Sequence, residues 1–465
     1  MKKKGMVLLL GFIVIVIGWW ITRGGSLAQP EEGMLDVWAT WAADQDQLQA
    51  LFDRYGQASG LPVKVTAGVG SDDVEKALTG TTPPDVVLLS SSDLLASYSE
   101  QGLVEPLDPW IEAAGIDVDD IYPAPLAQCR IQDGTHLCLP WGCDIDALFW
   151  NKDLFKAAGF DPERPPQTME ELVEYANKLT IRDEQGELSQ VGFIPDFARS
   201  HADLYVRMFG GALYSDKGAE LTINTQPVID ALDWQRQFYS SYTPEALEDF
   251  VASFTPYMTS RHPMYAGRRM TCRQCHRSSA PHNKRLPETG FYQGRIAMML
   301  EGQWQVHPDA LSREEPQVNY GLAPFPPPSA HPERANTTVV QGPVLIIPAG
   351  AADKEAAAQL LAWMTSSEIL AEATYVNHLL PTSRTSAQDP RFQGIPNFGV
   401  FVDLMVHPNA KHTVTTPISL DLNEALGQVE EELLHQGGDP LPLLNELQAE
   451  FASKLKETLS YHDGP

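Results

Sequence analysis

The densest cluster of reactive side chains is Cys272-Arg-Gln-Cys275-His276, set in a basic stretch at about 256-290 with Arg261, Arg268, Arg269, Arg273, Arg277 and Arg285. Two thiols followed by an imidazole at this spacing suit three chemistries: c-type haem attachment, a zinc site, or a small disulfide or dithiol pair. A haem would need an apolar shell and a distal ligand such as Met258, Met264, Met270 or His282, and this stretch is short and polar for the purpose. The remaining cysteines are Cys129, Cys138 and Cys143. Cys129 and Cys138 flank Asp133-Gly134, a hairpin-turn pair, and a bridge across so short a hairpin is within disulfide reach. Asp144 and Asp146 have the residue types of a glycosidase acid pair, but the separation that chemistry needs is not set by sequence spacing. The chain has no Gly-x-x-x-x-Gly-Lys phosphate loop, no His-Glu-x-x-His zinc helix and no Gly-x-Ser-x-Gly elbow. Binding is therefore expected, not catalysis.

The elements that position these groups begin with Lys2-Lys3-Lys4 and the mostly apolar run Met6 to Thr22. That run is long for a cleaved export signal and short for a spanning helix. Cleavage near Ser26-Leu27-Ala28 would give a secreted protein; retention would put Trp19 and Trp20 in the interfacial belt of an anchored one. Both outcomes place the body of the chain outside the cytoplasm, where disulfides persist. The net charge of -28, with 61 acidic against 33 basic residues, repels phosphate backbones and argues against nucleic acid as a partner. A length of 465 residues exceeds one ordinary core and predicts two domains.

From Leu35 onward, short apolar strands alternate with amphipathic helices, the pattern of an α/β fold. Strands are expected at Leu35 to Thr40, Leu61 to Thr66 and Val86 to Leu89, with helices at Gln45 to Gly60 and Asp72 to Thr79. The last of these strands is wholly apolar and ends abruptly in Ser90-Ser-Ser-Asp93. Ligands of open α/β sheets bind beyond the carboxyl ends of strands, so this is a candidate site loop, or alternatively a helix cap at Ser92 or Asp93. Leu139 to Trp150 reads as a strand broken by Pro-Trp-Gly, and Asn319 to Phe325 and Gln341 to Gly350 as later strands; Glu355 to Thr365 reads as a helix. Such breaks mark candidate crossings between domains.

The order of several short motifs resembles the extracellular solute-binding proteins of ABC importers, in the family that contains maltose- and other sugar-binding proteins. The motifs are Trp38-Ala-Thr-Trp41, Pro84-Asp85-Val-Val, Leu103-Val-Glu-Pro-Leu-Asp108, Leu139-Pro-Trp-Gly142, Phe149-Trp-Asn-Lys152, Phe291 to Trp304 and Leu380-Pro-Thr-Ser-Arg384. The resemblance implies a two-lobed periplasmic-binding-protein-like fold with a hinge and a central ligand cleft. On this reading 1-34 is the signal or anchor, 35-143 plus 324-366 form lobe I, and 144-323 plus 367-465 form lobe II, with the basic insertion in the latter. Crossings would lie near Cys143 to Ile145, near Pro324 and near Thr365 to Glu368. It further implies a monomeric receptor with no cofactor, delivering a small solute to ABC permease subunits.

A sugar offers an apolar ring face to aromatic side chains and a fringe of hydroxyls to carboxylates and amides. By resemblance, Trp304 is the leading stacking platform, followed by Trp41 and Trp141, and Asp144 is the acidic contact. Thr40, Asp44, Asp93 and Arg384 are further contacts, and Gly210-Gly211 lets backbone approach the ligand or ends a helix. Each tryptophan has the alternative of a half-buried core position. The competing function is an exported redox, haem or metal protein using Cys272, Cys275 and His276.

Overall fold

A computed structural model describes residues 33–40, 45–131, 134–195, 201–215, 218–253, 289–308, 318–412 and 414–460. Trp41, Asp44 and the Cys272, Cys275 and His276 motif lie outside them, as does the apolar run at Met6 to Thr22. No helix of the described residues is long and apolar enough to cross a membrane.

The first of two main sheets has five strands in the order Val63–Ala67, Leu35–Ala39, Val86–Leu89, Val344–Ile346, Leu139–Pro140. The first three are parallel, with Val37 opposite both Val65 and Val86, and the last two run antiparallel to their neighbours. Parallel strands are covered on both faces, which is why every residue of Leu35–Ala39 and Val86–Leu89 is buried and all but Asp36 are apolar. One face packs on helices Gln45–Ser59, through Leu48, Leu51, Phe52 and Tyr55, and Lys354–Met364, through Leu360 and Leu361. The other carries Val74, Leu78, Leu95 and Tyr98 against Trp38 and Val87.

The second sheet is antiparallel, with Asp146–Asn151 between Met298–Gly302 and Tyr320–Ala323. Its alternation assigns the faces. Leu148, Trp150, Met298 and Leu300 join a core with helices Met169–Leu179, Ala202–Met208 and Gln226–Arg236. Ala147, Phe149 and Met299 face a different core built with Phe401 and Leu404 of helix Phe398–Val406. Local signals start the helices: the Asn151 side chain accepts from the amides of Asp153 and Leu154, and the Thr168 hydroxyl from Glu171. The fold is α/β and two-lobed.

Three chain segments come together between the sheets. The Asp144 amide donates to the Gln341 carbonyl at 2.6 Å, the Trp141 amide to Pro343 at 2.9 Å, and Cys143 and Leu380 exchange bonds of 3.0 and 2.9 Å. Gly342 allows this proximity: at φ +156°, a Cβ there would stand 2.6 Å from Cys143 Cα. Past Pro324 the strand Thr338–Val340 still pairs with Ala410–His412, and only at Val344 does the chain enter the five-stranded sheet. Helix Ser367–Val376 keeps Ile369, Leu370 and Ala373 in the core of that same sheet. Cys129 and Cys138 are joined by a disulfide with Cα atoms 4.9 Å apart. Cys143 is a buried free thiol against Met405 Sδ, at 3.2 Å, and burial pushes its pKa well above the ordinary value.

Candidate functional site

Two groups of the expected site residues are assembled, one at each sheet. In the five-stranded sheet, strands Leu35–Ala39 and Val86–Leu89 run parallel, so Thr40 and Ser90 emerge side by side at their carboxyl ends. The Thr40 amide donates to Leu88 O and its hydroxyl accepts from the Ser90 amide at 2.8 Å. Ser91 donates to Asp93 Oδ2 at 2.9 Å, and burial raises the Asp93 carboxyl above its ordinary pKa, partly offset by that bond. Neither Ser92 nor Asp93 caps the next helix, Leu95–Glu100, whose cap residue is Leu94. The loop thus keeps its polar atoms beyond the strand ends.

The second group lies where the chain passes between the sheets. Asp144 is half-buried, and its Oδ1 accepts a 2.7 Å bond from Gln303 Nε2. Gln303 precedes Trp304 in the single turn Gln303–Val306 that ends strand Met298–Gly302. The Trp304 indole lies across the backbone of Gly302, where any Cβ would collide with it. Trp304 is itself only half-buried. An aromatic plane and a carboxylate are therefore held within one hydrogen-bonded unit. Asp146, two residues beyond Asp144, faces the buried His201 at 3.5 Å, and His201 Nδ1 lies 3.2 Å from Pro195 O.

The other expected residues sit elsewhere. Trp141 is 0% exposed, inside the core of the five-stranded sheet. Arg384 donates to the carbonyls of Asp119 and Ile121 at 2.6 and 3.0 Å and lies over the Tyr122 ring. Gly210 and Gly211 end helix Ala202–Met208: the Gly210 amide returns to Arg207 O and the Gly211 amide to Val206 O, with Gly210 at φ +85°. Among the described residues no group of His, Cys, Asp and Glu could hold a metal ion. Sequence reasoning passed over Gln303 and His201; only adjacency to Trp304 pointed toward the first of these.

Residues 50–399 match the profile of a family described as bacterial extracellular solute-binding protein. A curated relative, the sn-glycerol-3-phosphate-binding periplasmic protein UgpB of Escherichia coli (strain K12), is 33% identical over 106 residues. That match spans 22% of this chain and 23% of the relative, so under a quarter of the relative's length is covered. Among solved structures, CpMnBP1 with mannotriose bound superposes with a TM-score of 0.73 at 23% identity, over 90% of this chain and 100% of that one. UgpB from Mycobacterium tuberculosis in complex with glycerophosphocholine gives 0.67 at 19% identity, over 93% and 100%. At these identities the likeness is one of fold. With three quarters of its length matched by the family profile, the chain belongs to the bacterial extracellular solute-binding protein family.

Proposed function

We propose that this protein is a binding receptor, not an enzyme, that captures a carbohydrate or related polyol outside the cytoplasm and delivers it to an ABC-type importer. The observation that carries the reading is the half-buried Trp304 coupled through Gln303 to Asp144, at the passage between the two sheets. An indole covers the apolar face of a sugar ring, and a fixed carboxylate accepts from its hydroxyls. Thr40 and the Ser90–Asp93 loop supply polar contacts from the other lobe. Asp144 is held by the Gln303 amide, a neutral donor that does not relay protons, which supports a binding role for that carboxylate. Strand pairing supports dividing the lobes along the two sheets, with passages at Trp141–Ile145, Gln341–Pro343 and Leu379–Leu380.

The Escherichia coli relative is named for binding sn-glycerol 3-phosphate, the Mycobacterium tuberculosis structure holds glycerophosphocholine and CpMnBP1 holds mannotriose; all three ligands present vicinal hydroxyls. Arg384, the one cation among the expected contacts, is already committed to two carbonyls, which supports a neutral ligand over a phosphorylated one. Thermal-shift screening across oligosaccharides, polyols and glycerophosphates tests this. A ligand at 100 times its dissociation constant stabilises the fold by about 2.7 kcal/mol. Stabilisation by glycerophosphates alone would transfer the assignment to phosphorylated polyols. An absorption spectrum of the exported protein separates the haem reading of Cys272, Cys275 and His276, which rests on residues outside those described.

A further inference from the structure

We propose that Gln303 is the positioning residue of the solute site, orienting Trp304 and Asp144 and tying both to the passages between lobes. This rests on the receptor reading above. Gln303 is 1% exposed, and its side-chain amide bonds to the first passage and to the residue just before the third. Its Oε1 accepts from the Ile145 amide at 3.1 Å. Its Nε2 donates to Asp144 Oδ1 at 2.7 Å and to the His378 carbonyl at 2.9 Å. One side chain therefore bonds the first passage twice and the approach to the third once. Three of the four hydrogen bonds open to an amide are made, leaving it little rotational freedom.

The receiving end is equally constrained. His378 ends helix Ser367–Val376 in the left-handed region, φ +59°, at a position glycine normally takes. Its amide returns to Tyr375 O and the Leu379 amide to Thr374 O, which fixes the direction of the His378 carbonyl toward Gln303. The His378 ring stacks on buried His307 with centroids 3.6 Å apart. Because His307 immediately follows the turn Gln303–Val306, the turn is gripped at both ends by the same residue, through its carbonyl and its ring. Between the grips stands Trp304, its ring laid over Gly302. Moving the first passage or the approach to the third changes the orientation of the indole and the plane of the Asp144 carboxylate together. Among the described residues, the charged and titratable groups around this unit are Asp144, Asp146, Cys143, His201, Tyr292, buried Glu301, His307, Tyr375 and His378.

The decisive variant is Gln303→Glu. It retains the acceptor for the Ile145 amide, but its ionised carboxylate donates to neither Asp144 nor His378. Two carboxylates at hydrogen-bond distance share one proton, so the lost donor returns on acidification. Calorimetric titration of wild type, Gln303→Glu, Gln303→Leu and Trp304→Ala with mannotriose, maltose and sn-glycerol 3-phosphate reads the effect. Relative to wild type, Gln303→Glu should bind the effective probe about tenfold more weakly near pH 7 and recover severalfold near pH 5; Gln303→Leu should lose affinity at both. A folded Gln303→Glu protein with wild-type affinity, or with a deficit independent of pH, overturns the inference while leaving the receptor reading intact. If no probe binds wild type, the carbohydrate reading fails, and melting temperatures decide the placement of Gln303. The pH-dependent destabilisation by Gln303→Glu should then vanish in an Asp144→Asn background; persistence there overturns it.

Discussion

Gly342 is the tightest point where the passages meet, and replacing it with alanine tests whether that contact fixes the two lobes. A Cβ at this residue would lie 2.6 Å from both Cys143 Cα and the Gly142 carbonyl oxygen. Carbon contacts normally begin near 3.5 Å, so relief needs a separation of roughly 1 Å. Both obstructing atoms are backbone, and no rotamer change can help. Bonds that span this gap include Asp144 N to Gln341 O and Trp141 N to Pro343 O. Losing one or two, at about 0.5–1.5 kcal/mol each, with overpacking of about 1–3 kcal/mol, gives a destabilisation of about 1.5–6 kcal/mol. The control is Gly399→Ala, in helix Phe398–Val406, where a Cβ meets nothing within 4 Å; it should be neutral or stabilising by up to about 1 kcal/mol. Urea unfolding followed by tryptophan fluorescence reads both, and amide exchange at Asp144 and Cys143 localises the effect. Gly342→Ala within about 0.5 kcal/mol of wild type, with those amides still protected, would refute the argument.

Trp304→Ala should weaken the binding of whichever sugar stabilises the fold by about 1–3 kcal/mol, through lost ring contact; unchanged affinity in calorimetry would make Trp304 a packing residue. Burial holds the Asp36 carboxyl above its ordinary pKa, with the Trp38 indole N–H offsetting part of the shift. A raised folded-state pKa means that stability is highest below the unfolded value of about 3.9 and declines as pH rises through the folded one. Asp36→Asn, which cannot ionise, should therefore be more stable than wild type near neutral pH, with the gain disappearing below about pH 4 in melting curves. Converting Cys129 and Cys138 to serine should lower stability by about 2–3 kcal/mol in the same urea assay; no loss would show that the surrounding hairpin holds itself.

Strand and helix existence was legible because the periodicities are strong. Val86–Leu89 is an apolar run punctuated by Pro84-Asp85 and Ser90, and it forms over those four residues. The helix expected from Gln45 ends one residue earlier, at Ser59, since Gly60 takes φ +77°. Long-range pairing was less legible. The passage into the first sheet at Gln341–Pro343 depends on Thr338–Val340 finding Ala410–His412, a contact with no local signature, whereas Pro324 looked like a break because of the prolines around it. Trp141 precedes Gly142 and Trp304 follows Gly302-Gln303, so both lie beside a glycine-containing break, yet one is enclosed by the sheet and the other lies across Gly302. A glutamine beside a tryptophan carries no sign that its amide will be buried; that emerges only when three segments converge on it.

The strand Val344–Ile346 lies between Val86–Leu89 and Leu139–Pro140, pairing Val344 with Leu89 across roughly 250 residues of sequence. A polypeptide emerging amino end first must expose the edge of Val86–Leu89 until most of its length has appeared. The first sheet is thereby forbidden from closing early. For a protein that works beyond the membrane this is a useful delay, because a chain that cannot complete a core remains threadable. The same interval leaves an apolar strand edge open to mispairing. The acidic surplus keeps emerging chains apart meanwhile, and the late strand then seals the edge from within the same molecule.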